Sequence, residues 1–215
     1  MAPVIPTTTG SAVLIDCGAN AECTPEYLVQ FAYLGNFYAK RVLGVETPRV
    51  GLLNIGAEDS KGTELQKATL ALLRKADEAG DMHFIGNIEA NTALLGGADV
   101  IVADGYSGNI LLKTVEGAAK LLLGEMKKAF LSSTKSKLGA LLVKDSLGDV
   151  KKLLDPSEVG GTPFLGISKP VLKAHGSSDA RAIRNAVFRA VEYAQSGIIA
   201  DVEAHIDVMK VEKNG

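Results

Sequence analysis

The feature that most constrains this chain is an alternation. Short β-branched runs, each closed by a polar loop, alternate with longer stretches whose apolar residues recur at helical spacing. Strands joined through helices build a largely parallel sheet with helices on both faces, so the fold class is α/β and three-layered. The strand runs are Ala12–Asp16, Arg49–Ile55, Met82–Ile85 and Asp99–Asp104, the last apolar enough in its middle to be buried on both sides. Between them, helices are predicted from Pro25 to about Val42, from Thr63 to about Ala79, and over Ile88–Leu95. Thr24-Pro25-Glu26 is a start signal, with Thr as N-cap and Pro in the first helical position.

The character changes after Asn109. A helix from about Ile110 to Phe130 leads through Ser132-Ser133-Thr134 into a second helical stretch from Lys137 to about Leu154. Residues 120–152 carry eight Lys against three acidic residues, a local charge of about +5 in a chain whose net charge is −2. Beyond it, α/β character returns with Pro163–Ile167, Val171–Ala174, a helix over Asp179–Gln195 with Ala182, Ile183, Ala186, Val187 and Ala190 inward, and a final helix over Ile198–Val208. Residues 1–215 are expected to form one α/β domain, with residues 118–156 as a basic helical hairpin within it.

Composition narrows the function classes. With 47% apolar residues the chain can bury a core, which excludes disorder. Balanced charge, no Trp and 5% aromatics argue against a nucleic-acid binder. Cys17 and Cys23 are too few for a disulfide framework or a structural zinc site, and His83, His175 and His205 show no ligand spacing, so no metal is expected. No run reaches the ~18–20 apolar residues that span a bilayer, and Met1–Pro6 lacks the pattern of a signal peptide. The expected location is the cytoplasm.

Ligands of open α/β sheets collect where strands end and helices begin. Four loops fit that place: Asp16–Asn20, Asn54–Gly56, Asp104–Asn109 and His175–Arg181. In Asp104–Asn109, glycines flank Ser107, so a ligand could approach the backbone closely, and the following helix aims N–H groups back at the loop. The same glycines would also suit a turn that is merely tight. Lys61 lies in a polar strand–helix connection, where it offers either a charge to an anion or a solvated surface group. His175 and Ser177 precede the Asp179 helix and are open to similar alternatives. The apolar run Leu138–Val143 beside Lys135, Lys137 and Lys144 suits a membrane interface, an acidic protein partner or a second subunit.

Taken in order, six stretches resemble the bacterial phosphate acyltransferases of phospholipid synthesis, the PlsX family. They are Ile15–Asn20, Leu53–Gly56 with Lys61-Gly62, Phe84–Glu89, Asp104–Ile110, Leu112–Gly117 and Lys173–Ser178. The resemblance implies a fold akin to isocitrate dehydrogenase and phosphotransacetylase. It also implies transfer of a fatty acyl group from acyl carrier protein to inorganic phosphate, without a cofactor, by a homodimer loosely bound at the membrane. On it, Lys61 and Asn109 are the catalytic pair, while Asn20, Asp104, Gly105, Ser107, Gly108, His175 and Ser177 bind or border phosphate. The family carries roughly a hundred further residues upstream, so this chain is expected to match the C-terminal two-thirds of the fold and to be poorly active alone. Two rivals stand beside this reading: a short-chain phosphate acetyl- or butyryltransferase using acyl-coenzyme A, and a non-catalytic module that binds a partner.

Overall fold

A computed structural model of the chain describes residues 1–154, 160–176 and 178–210. Its centre is a five-stranded sheet built from β1 (Val4–Thr7), β2 (Gly10–Ile15), β3 (Arg49–Asn54), β4 (His83–Glu89) and β5 (Val100–Val102). The spatial order is β1-β2-β5-β3-β4; β1 is antiparallel to β2, and the other four strands run parallel. The expected α/β class with a mostly parallel sheet is therefore what the chain forms.

Side-chain alternation along the strands divides the core into two layers. Val13, Ile15, Val50, Leu52, Val100 and Val102 point to one face, where they meet Leu28 and Ala32 of α1 (Pro25–Arg41) and Leu70 and Leu73 of α2 (Glu64–Glu78). Ala12, Leu14, Ile88 and Ile101 point to the other, against Ala93 of α3 (Ala90–Leu94) and Leu111 of α4 (Gly105–Leu131). Every residue of β5 is buried, as expected of a strand covered on both sides. Thr24 and Pro25 do open α1, and α2 starts with a capping box between Thr63 and Gln66.

Several elements differ from the sequence reading. β1 was not foreseen: with Pro3 and Pro6 it reads as a breaker, yet at a sheet edge a proline costs no needed hydrogen bond. Helix α4 begins at Gly105, five residues earlier than expected. The second helical stretch is split at Val143 into α5 (Thr134–Leu142) and α6 (Lys144–Leu153), and neither buries a residue. β6 (Thr162–Phe164) and β7 (Val171–Lys173) form an antiparallel pair of their own. Helix α7 (Ala180–Gln195) turns Ala182 and Tyr193 inward, whereas Ile183 and Val187, expected inside, are about half exposed. At Ala186 the helix passes close to the chain entering β6: a Cβ built on Gly161 would lie 3.3 Å from that of Ala186. Helix α8 (Ile198–Ala204) closes the described fold against α1. Among the described residues no helix is long and apolar enough to cross a membrane.

Candidate active site

Because β2, β5, β3 and β4 are parallel, their carboxyl ends lie along one edge of the sheet. In spatial order that edge carries the Asp16–Asn20 loop, the start of α4, the Asn54–Gly62 connection and Glu89. Two clefts, of about 240 and 600 Å³, open at the opposite end, around Gly80 and Asp81 just before β4. The candidate site is built from the loops along the carboxyl edge.

Asp16 organises the first loop. Its fully buried carboxylate accepts five hydrogen bonds: from the Met1 amino group at 2.7 Å, the N–H groups of Cys17, Ala19 and Asn20, and the Asn20 side-chain amide at 3.2 Å. The Asn20 carbonyl then accepts the N–H of Gly105 at 2.8 Å, which fastens the loop to the first residue of α4. Cys17 completes the contact, its Sγ donating to the Gly108 carbonyl at 3.5 Å. Burial, and next the Asp16 charge, push the Cys17 thiol up to about 11, so it stays protonated at neutral pH.

The glycines of Asp104–Asn109 are explained by this docking. A Cβ on Gly105 would collide with the Asn20 carbonyl and the Asp16 carboxylate, and one on Gly108 with the Asp16 carbonyl. Only glycine lets the helix approach so closely. Asp104 is the N-cap, accepting from the Ser107 N–H and Ser107 hydroxyl, each at 2.8 Å. A stretch that reads as a glycine loop is therefore the capped first turn of a 27-residue helix. Gly105 and Asn109 stand one turn apart on the same face, and the exposed Asn109 side chain lies beside Gly18: a Cβ built there would be 3.6 Å from the Asn109 Cβ and Cγ. Asn20, Asp104, Gly105, Ser107, Gly108 and Asn109 are thus brought together.

Lys61 sits on the neighbouring connection, with its N–H donating to the Glu58 carbonyl at 3.0 Å and its carbonyl accepting from Asn54 Nδ2 at 3.2 Å. Its side chain is exposed, and its stem runs over buried Gly56. His175 lies just past β7 of the separate two-stranded sheet, with its carbonyl accepting from the Ser178 N–H at 3.0 Å. Ser177 lies outside the described residues. Among the described residues, no group of three or more His, Cys, Asp or Glu is placed to hold a metal ion.

The sequence model of the family described as "Fatty acid synthesis protein" matches residues 1–201. The chain belongs to this family. Among curated relatives, a phosphate acyltransferase of Lysinibacillus sphaericus strain C3-41 is 47% identical over 212 residues, which cover 97% of this chain and 63% of the relative. One from Clostridioides difficile strain 630 is 45% identical over 197 residues, 92% of this chain and 57% of the relative. One from Geobacillus thermodenitrificans strain NG80-2 is 47% identical over 208 residues, 96% of this chain and 62% of the relative. The chain therefore spans about six-tenths of the length of these family members.

Within this family fold, three residues at the site were not singled out from sequence. Asp16 has a signal, an acid closing an apolar strand before Gly18 and Asn20. Asn54 and Asn87 have little: each is a polar residue at or near a strand end, and only the folded chain reveals what it holds.

Proposed function

We propose that this chain carries the phosphate-binding and acyl-transfer edge of a phosphate acyltransferase, which moves a fatty acyl group from acyl carrier protein to inorganic phosphate. The observation that supports this most is the sharing of one sheet edge by the Lys61 turn, the Asp16–Asn20 loop and the exposed amide of Asn109. The names of the relatives point the same way.

The reaction joins a phosphate oxygen to a thioester carbonyl carbon, passes through a tetrahedral oxyanion, and breaks the carbon–sulfur bond with departure of the thiolate. Phosphate is already an adequate nucleophile, so the work lies in gathering two substrates and neutralising charge. In this reading Lys61 supplies positive charge to phosphate and oxyanion, and the Asn109 amide donates to the oxyanion. Asn20, Asp104, Gly105, Ser107 and Gly108 shape the phosphate side of the edge. The N–H groups of Gly105 and Ser107 are taken up by Asn20 and Asp104. The glycines therefore serve by shape, and the side chains of Lys61 and Asn109 carry the polar chemistry.

Helices α4 to α6 are proposed to rest on an anionic bilayer. Leu138, Leu141 and Leu142 are 63%, 68% and 81% exposed among the lysines of this arm, so burial in lipid would remove much apolar surface from water. A homodimer is proposed as well, in keeping with the half-exposed stripe Ile183, Val187 and Val191 on α7.

The test is acyl-phosphate formation from acyl carrier protein thioesters and from acyl-coenzyme A, by the chain alone and joined to the upstream segment of a relative. Acyl phosphate from the carrier-protein donor is the expected result. Product only from a short acyl-coenzyme A would favour the acetyl or butyryl reading, and no product from either form with either donor would favour a binding module.

A further inference from the structure

We propose that Asn87, near the end of β4, is a positioning residue for Lys61, acting through the carbonyl of Glu58; the catalytic consequence rests on the role given to Lys61 above. The Glu58 carbonyl accepts two hydrogen bonds, one from the Lys61 N–H at 3.0 Å and one from Asn87 Nδ2 at 3.0 Å. The same oxygen thus joins the lysine backbone to a side chain rooted in the sheet.

Residues 57–61 are all exposed, so no apolar packing holds this turn in place. Its remaining ties are the Asn54 amide on the Lys61 carbonyl and a half-exposed ion pair between Arg74 and Asp59 at 2.8 Å. Exposed ion pairs contribute little. Asn87, by contrast, is 8% exposed and stands opposite Leu52 in the β3–β4 ladder, so its donor has a fixed origin. Its Oδ1 is buried without a hydrogen-bond partner among the described residues. A leucine of similar shape would avoid that unfavourable burial, so the asparagine is retained at a cost to stability and its donor is the useful half. Gly56 completes the arrangement: an added Cβ there would lie 2.9 and 3.3 Å from Lys61 Cγ and Cδ. Asn87 thereby sets where the lysine backbone stands, and Gly56 gives its stem room to lie flat.

Amide hydrogen exchange of the 215-residue chain reads the turn directly, whether or not the chain turns over. In Asn87→Leu, the Lys61 amide should exchange at least about tenfold faster, while β4 and α2 keep their protection and the unfolding midpoint holds or rises. Unchanged exchange at Lys61 would overturn the proposal. Should the leucine variant not fold, Asn87→Ala gives the same reading, because it removes the donor without adding bulk or charge. In the acyl-phosphate assay, Asn87→Leu should lower kcat about tenfold, yet change it less than about twofold on a Lys61→Ala background. Equal losses on both backgrounds would mean general damage and overturn the positioning role. If Lys61→Ala itself leaves acyl-phosphate formation intact, the catalytic reading of Lys61 fails, while the exchange result still decides what Asn87 holds.

Discussion

At the scale of residues, the site depends on contacts that leave no space for a methyl group. Gly108 faces the backbone carbonyl of Asp16, which cannot turn aside as a flexible side chain could. Gly108→Ala should therefore destabilise the chain by about 2 kcal/mol or more through overpacking, read as a lower urea midpoint. Gly124 lies further along the same helix, and a Cβ there meets nothing within 4 Å. Gly124→Ala should stabilise by about 0.5–1 kcal/mol, because alanine has less freedom to lose on folding. Equal effects at the two positions would contradict the packing explanation of the glycine pair. The resemblance could mark Gly105 and Gly108, but composition and spacing left them between ligand approach and tight turn. What resolves this is a neighbour almost ninety residues away, which local pattern does not encode.

At the scale of elements, β2, β3 and β5 were legible because their middles are apolar and buried, whereas β4, an edge strand with His83, Ile85 and Glu89 exposed, was legible only up to Ile85 and runs on to Glu89 through residues read as a loop and a helix start. The boundaries and faces that were missed were decided by tertiary contacts: α4 gains its first turn from the Asp104 cap and the Asp16 loop, and α7 packs on the β6–β7 pair through Ala186 near Gly161 and through the Tyr193 hydroxyl, which donates to the Phe164 carbonyl. Asp99 shows how element starts are tied. Its carboxylate takes the Arg49 N–H at 2.8 Å and the Arg49 guanidinium at 2.9–3.0 Å, linking the beginnings of β3 and β5. Burial alone would push this carboxyl up, but the Arg49 bonds outweigh it and hold the group below the usual carboxylate range. A carboxyl depressed in the folded state stabilises above its unfolded pKa, about 3.9, and that stabilisation fades as pH falls through the folded value. Asp99→Ala should thus cost about 1–2 kcal/mol at pH 7, with the gap to wild type closing below about pH 4 in denaturant titrations. A gap that widens in acid would reverse the sign and refute the account.

At the scale of the whole molecule, the chain separates a packed α/β body from an arm whose outer helices bury nothing. Leu141→Glu with Leu142→Glu removes apolar surface and adds repulsion from anionic lipid, so binding to anionic liposomes should fall at least tenfold with the body's melting unchanged. Unchanged liposome binding would remove the membrane reading, and dissociation in sizing experiments would assign the arm to a second copy. The body carries the central claim, that Lys61 and Asn109 on one sheet edge transfer an acyl group to phosphate. Neither residue could be paired with the other from spacing, because 48 residues separate them; the parallel strand order β2-β5-β3 makes their loops neighbours. The most direct measurement is the rate of acyl-phosphate formation from acyl carrier protein by wild type and Lys61→Ala, in whichever form of the chain turns over, with circular dichroism confirming the fold. Loss of one charged donor to a developing oxyanion predicts a fall in kcat of about 10²–10³. A variant within threefold of wild type would contradict the account.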